Sequence, residues 1–178
     1  MARELWDIDP SHTSIGFTVR HMVFAKVHGQ FAKFKGSIEI DRERPENSAV
    51  AATIEAGSID THEEKRDGHL RSPDFLDVER FPEIAFRSTG VRRGQGEKLQ
   101  VVGDLTIRGV TRPVTLDAEL LGEAKDPFGN ARAGFTARTS LDRKDYGLKW
   151  NQVLEAGGVL VGDRVDIELD VQAIRRAP

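Results

Sequence analysis

The chain has no cysteine among its 178 residues. Disulfides, thiolate nucleophiles and thiolate metal centres are therefore excluded. It also lacks an excess of either charge. There are 26 lysines and arginines against 29 acidic residues, a net charge of −3, and the signs are interspersed. A nucleic-acid footprint needs a basic face, and the composition writes none. No apolar run approaches the ~20 residues of a helical membrane span. Met1 to Trp6 lacks the apolar core of a signal peptide. As written, that predicts a cytoplasmic protein, or a periplasmic one if a native leader was removed. The length suits one domain, 1–178, with a core that needs no staples.

What is present is alternation. Ile15, Phe17 and Val19 alternate with Gly16, Thr18 and Arg20. Phe34, Gly36, Ile38 and Ile40 do the same, then Val50, Ala52, Ile54 and Ala56, then Ile84 and Phe86. Leu99 to Ile107, Val114 to Leu120, Ala133 to Leu141 and Val159 to Val171 continue it. Period two marks half-buried strands. Turn residues separate them at 41–47, 93–98, 109–113 and 126–130. Met22 to Ala25 is an apolar bend or rim, and 142–156 reads as irregular. About eight to ten short-linked strands predict an antiparallel barrel or sandwich.

One stretch breaks the period. Thr61-His62-Glu63-Glu64 has capping-box spacing, and Lys65, Arg66 and Arg71 suit a helix C-terminal half. Ser72-Pro73 stops the helix. The spacing predicts a short helix laid as a lid over one barrel end, with Phe75, Leu76 and Phe81 following it.

Each strand is apolar on one face, so the sheet must close or pack on another. A barrel near eight strands is either filled by side chains or holds one small ligand. The inward set is rich in small residues: Gly36, Ala52, Ala56, Gly103, Ala118, Ala133, Ala137 and Thr139. That predicts space, because interiors otherwise pack to crystal density. The competing reading sets small residues opposite large ones in a solid core. A cavity with such walls takes a hydrocarbon-like ligand, any polar group lying at the mouth.

The five histidines carry little chemistry. His62 and His69 fall on one helical face beside Lys65 and Arg66, which disfavours a metal; no metal and no cofactor is expected. His12, His21 and His28 fall at strand ends. Asp9, Ser11 and His12 lie too close in sequence for triad geometry, and no nucleophile elbow is present. Glu63, Glu64, Asp67, Asp74, Asp77 and Glu79 read as a solvated acidic surface. The glycines near Gly94 precede a strand and do not cradle a phosphate.

Several motifs resemble one family. Asp9-Pro10-Ser11-His12-Thr13 followed by Phe17 to Met22 is similar to the opening of the YceI-like, lipocalin-like polyisoprenoid-binding proteins. Residues 66–77 with Phe81-Pro82-Glu83-Ile84, residues 103–114, Asp126 to Gly129 and residues 143–148 resemble further family segments in order. The resemblance implies an all-β, extended eight-stranded antiparallel barrel with a helix near its opening. It implies a long isoprenoid lipid inside, a polyprenyl phosphate or quinone tail, held without catalysis for transport, storage or stress response. It implies a homodimer, no nucleic acid and no stable membrane insertion.

The expected apolar lining is Phe17, Val19, Phe34, Ile38, Ile54, Phe75, Leu76, Ile84, Phe86, Leu105, Ile107, Leu116, Phe135, Ala137 and Val161. Arg66, His69 and Arg71 are the candidate head-group donors, because a phosphate favours guanidinium forks. Two other functions stay open. One is an enzyme acting on the lipid through His12, His69 and Asp145. The other is a solid-core interaction module with an exposed apolar patch at Val23-Phe24-Ala25.

Overall fold

The computed structural model describes residues 3–154 and 158–177; positions 155 and 156 of the expected irregular segment, and Met1 and Ala2, lie outside them. Strands β1 (Glu4–Ile8), β2 (Ser14–His21), β3 (Ala25–Phe31), β4 (Phe34–Ile40), β5 (Ala49–Glu55) and β6 (Ile59–Asp60) come first. Helix α1 (Glu64–Arg71) follows. Then come β7 (Glu83–Arg93), β8 (Lys98–Ile107), β9 (Val110–Lys125), β10 (Ala131–Asp142) and β11 (Val161–Arg175).

The first six strands are three long strands, each broken once. The turn Pro10–His12 separates β1 from β2, and both segments pair with β11. Pro10 removes an amide donor and fixes its own φ, so the ladder breaks there. Ala32 and Lys33 separate β3 from β4, and the turn Ala56–Ser58 separates β5 from β6. Joined this way, β1/β2, β3/β4, β5/β6 and β7 to β11 pair in order, every pairing antiparallel. The pairing of β1/β2 with β11 closes the ring at eight. Closure removes the open edges a sheet of this length would otherwise expose, except along Ala25 to Gly29, which β6 does not reach.

The strand directions define two ends. The β2–β3 hairpin, α1 and residues 143–160 lie at one, called here the helix end. The loops 41–48, 94–97 and 126–130 lie at the other. A core cluster sits toward each. Near the helix, Ala56, Ile59, Phe75, Leu76, Ile84, Leu105, Tyr146 and Leu148 pack together. At the far end Trp6, 1% exposed, packs on Ala133 and Ala173, whose small side chains make room for the indole.

Three sequence readings need correction here. The strand β3 was not expected, because its inward positions are Val27, Gly29 and Phe31, and the glycine hides the alternation. The helix N-cap is Glu63, whose carboxylate accepts the Arg66 amide at 2.5 Å; Thr61 does not cap it. His62 stands outside the helix with φ 62° and so shares no helical face with His69. Ser72 does end the helix, its amide donating to the His69 carbonyl.

Candidate functional site

A cavity of about 730 Å³ runs along the barrel between the two ends. Inward positions of every long strand form its wall. Along β10, Ala133, Phe135, Ala137, Thr139 and Leu141 face it, and along β11, Val161, Val165, Ile167, Leu169 and Val171 do. Period-two side chains of strongly tilted strands converge on one axis, which is how a local pattern becomes an apolar interior.

All fifteen expected lining residues stand in this wall. The small-residue argument divides. Gly29 and Gly103 are filled by rings: a methyl group at position 103 would stand 2.5 Å from Cζ of Phe86. Gly36 is covered by Ile8 and the Ala51 carbonyl. Ala52, Ala118, Ala137 and Thr139 instead border open space, while the room beside Ala133 is taken by Trp6. Ala137 pairs directly with Ala118 on β9, so two methyl groups face the cavity side by side.

The helix end is a packed plug. The imidazole of His69 meets the rings of Phe75 and Trp150 edge-on, at centroid distances of 5.0 and 4.6 Å, and its Nε2 lies 2.9 Å from Asp74 Oδ2. Arg143 is 4% exposed. Its guanidinium donates to the carbonyls of Gly162, Leu148, Trp150 and Val161 at 2.6–3.3 Å. Burial lowers its pKa below the ordinary arginine value, the more exposed Asp163 opposing that shift. The carbonyls meet the cation's hydrogen-bonding needs that burial would otherwise leave unmet. Arg143 thus ties the 143–162 segment to the barrel.

Of the head-group candidates, Arg66 and His69 border the cavity and Arg71 does not. Arg66 gives Nε and Nη2 to the hydroxyl and carbonyl of Thr61 at 2.7 and 2.6 Å. Among the described residues its Nη1 has no protein acceptor. Arg71 is spent on the carbonyls of Gly57 and Ile59. The expected solvated acidic surface is wrong at two positions. Asp67 is buried and accepts the amide and hydroxyl of Thr61, at 2.9 and 2.5 Å. Asp77 is buried beneath the Arg80 side chain.

The far end is polar. Arg42 reaches across it, its fork meeting Glu123 at 2.6 and 3.0 Å and Glu4 at 2.5 and 3.0 Å. In the eight-strand ring β4 and β9 are four places apart, so the Arg42–Glu123 pair joins opposite walls. Hydrogen bonding to Arg42 lowers the pKa of both Glu4 and Glu123. Bidentate arginine–carboxylate pairs are the strong form of this contact. Nothing in the alternation announces such a strap, because all three residues lie at strand ends or in a loop.

Asp9, Ser11 and His12 do come together. The Ser11 hydroxyl and Asp9 Oδ2 both address Nδ1 of His12, at 3.1 and 2.8 Å, with His12 exposed and Asp9 largely covered. A nucleophile and its orienter must use different ring nitrogens, so this is no triad. Hydrogen bonds from Arg132, then His12, hold the Asp9 carboxyl well below the usual range. His12, His69 and Asp145 do not converge: His12 bonds Asp9, His69 bonds Asp74, and Asp145 is exposed on the turn after β10. Among the described residues no three His, Asp or Glu side chains gather as a metal site would need.

A closed antiparallel barrel around an apolar cavity, with a helix plugging one end, defines a class of small β-barrels. The YceI-like domain pattern matches residues 6–173, and the chain belongs to the YceI-like family. It is 46% identical over 143 residues to the UPF0312 protein plu2095 of Photorhabdus laumondii, covering 80% of this chain and 74% of that protein. Among solved structures it is similar to BcnA of Burkholderia cenocepacia, with a TM-score of 0.82, 19% identity, and 93% and 98% of the two chains covered. It is also similar to a polyisoprenoid binding domain from Saccharophagus degradans implicated in plant cell wall breakdown. There the TM-score is 0.69, the identity 14%, and the coverage 96% and 98%. At these identities the two structures speak for the fold.

Proposed function

We propose that the barrel binds a long-chain polyisoprenoid lipid, a polyprenyl phosphate or the tail of a quinone, without catalysing a reaction on it. The observation that carries this reading is the cavity. Its 730 Å³ fall within the roughly 300–1,000 Å³ of small-molecule sites, and between its polar ends its walls are mainly aliphatic and phenyl. Family membership and the name of the Saccharophagus degradans domain point the same way. A methyl-branched chain satisfies such walls without needing buried polar partners. The head group belongs near Arg66 and His69, which border the cavity from α1, the imidazole braced by Asp74.

The test is native mass spectrometry with lipid extraction of the protein purified from its own host. A co-purifying isoprenoid, in a fixed ratio to the chain, is the expected result. A protein that stays empty and takes up no added prenyl chain refutes the reading.

A further inference from the structure

The tip of the β2–β3 hairpin is built at a cost. Met22 and Val23 adopt φ of 52° and 71°, a region that glycine and asparagine favour and that a β-branched residue avoids. The side chains so presented face water. Phe24 is 85% exposed, and Met22 and Val23 are about half exposed. A second loop adds to this surface. Val153 is 79% exposed and bridges to Val159, itself exposed. The two loops touch, since a methyl group at Gly158 would stand 2.9 Å from Cγ2 of Val23. Strain and exposed apolar area are both unfavourable.

Directly below the tip sits a cationic collar. Arg20 and Lys26 are exposed cross-strand partners on the face toward solvent, Arg20 also bordering the cavity rim. Like charges placed directly opposite each other repel, so the pairing suits an external anion. His28 follows Lys26 on that face. The cavity reaches the same place: Arg20, His21 and Val27 border it from the hairpin, and Arg66 and His69 from α1. Here the barrel wall is thin. β3 pairs with β6 only at Gln30 and Phe31, so among the described residues Ala25 to Gly29 have no strand on their second side.

We infer that this end of the barrel docks on the surface of an anionic lipid bilayer. Met22, Val23 and Phe24 enter the headgroup layer, while Arg20 and Lys26 meet lipid phosphates. An apolar crown over a cationic collar is the complement of such an interface. A second copy of the chain is the poorer occupant, because a two-fold contact would bring one collar against the other. The inference rests on the lipid-binding reading only for what passes between bilayer and cavity; the surface stands on its own evidence.

The experiment is flotation of the full chain with phosphatidylcholine vesicles, with and without phosphatidylglycerol. Phe24→Asp and the double variant Arg20→Glu/Lys26→Glu are compared, with native mass measured alongside. All substituted positions are exposed, so folding is preserved. Binding is expected only with phosphatidylglycerol, falling with salt, and each variant should lose about tenfold or more. Phe24→Asp should keep any lipid already inside, which separates this surface from the cavity. Undiminished flotation of both variants, or no flotation of the unaltered chain, overturns the inference. So does a dimer that Phe24→Asp converts to monomer, since the tip would then cover a second copy.

Discussion

The ring of Phe17 lies across Gly29, its partner on the neighbouring strand, and occupies the space a side chain there would need. A methyl group at position 29 would stand 2.8 Å from Cε1 and Cε2 of the ring. Gly29→Ala should therefore destabilise the protein by roughly 1–3 kcal/mol in a urea melt, as overpacking does. Adding Phe17→Leu should recover part of that loss, because the two sites share one volume. An additive double variant would contradict the shared-volume account.

Ala137 borders the cavity between its strand partners Ala118 and Leu169, while Arg138 beside it points outward near Glu168. Ala137→Phe should place its ring in the space assigned to lipid. The empty protein then loses little stability, and prenyl-chain binding weakens sharply. In a close-packed core the same change would cost roughly 1–3 kcal/mol or more. Arg138→Phe is the control and should alter neither quantity strongly. Melting curves with and without a prenyl chain separate these outcomes.

The Arg42 strap predicts a pH- and salt-dependent far end. Glu4 and Glu123 have folded pKa values lowered from 4.5, chiefly by hydrogen bonds from Arg42. A lowered carboxylate pKa contributes stability that is present above the unfolded value and lost as pH falls through the folded one. The strap is therefore formed at neutral pH and released below about pH 4.5. Arg42→Ala should mimic acid, lowering the urea midpoint at pH 7 and flattening its fall toward acid pH. Urea melts across the pH range measure both. A midpoint unchanged by the substitution and by acid would show that the strap does not hold this end closed.

The fold was legible because strands with one apolar face print their register residue by residue. The inward positions of β10, from Ala133 to Leu141, followed from period two alone. β3 escaped because Gly29 sits where a large apolar residue would complete the pattern. The helix cap was misplaced by competition: Thr61 has the right hydroxyl, but Asp67 takes it inward and Glu63 caps instead. Arg71 looked like a phosphate fork and serves backbone carbonyls, a choice that depends on where the broken end of β5/β6 falls. Arg143 and the Arg42–Glu123 strap join residues 5–19 and 81 positions apart, and no local pattern encodes such pairs.

The central claim is that the interior is a site for an apolar chain. The most direct measurement is the dissociation constant for a series of prenyl alcohols of rising length, at fixed pH and salt. Each buried methylene contributes about 0.8 kcal/mol before the cost of ordering the chain. Affinity should therefore climb with every added isoprene unit and level off once the cavity is full. An affinity that ignores chain length from the shortest member onward would contradict the account.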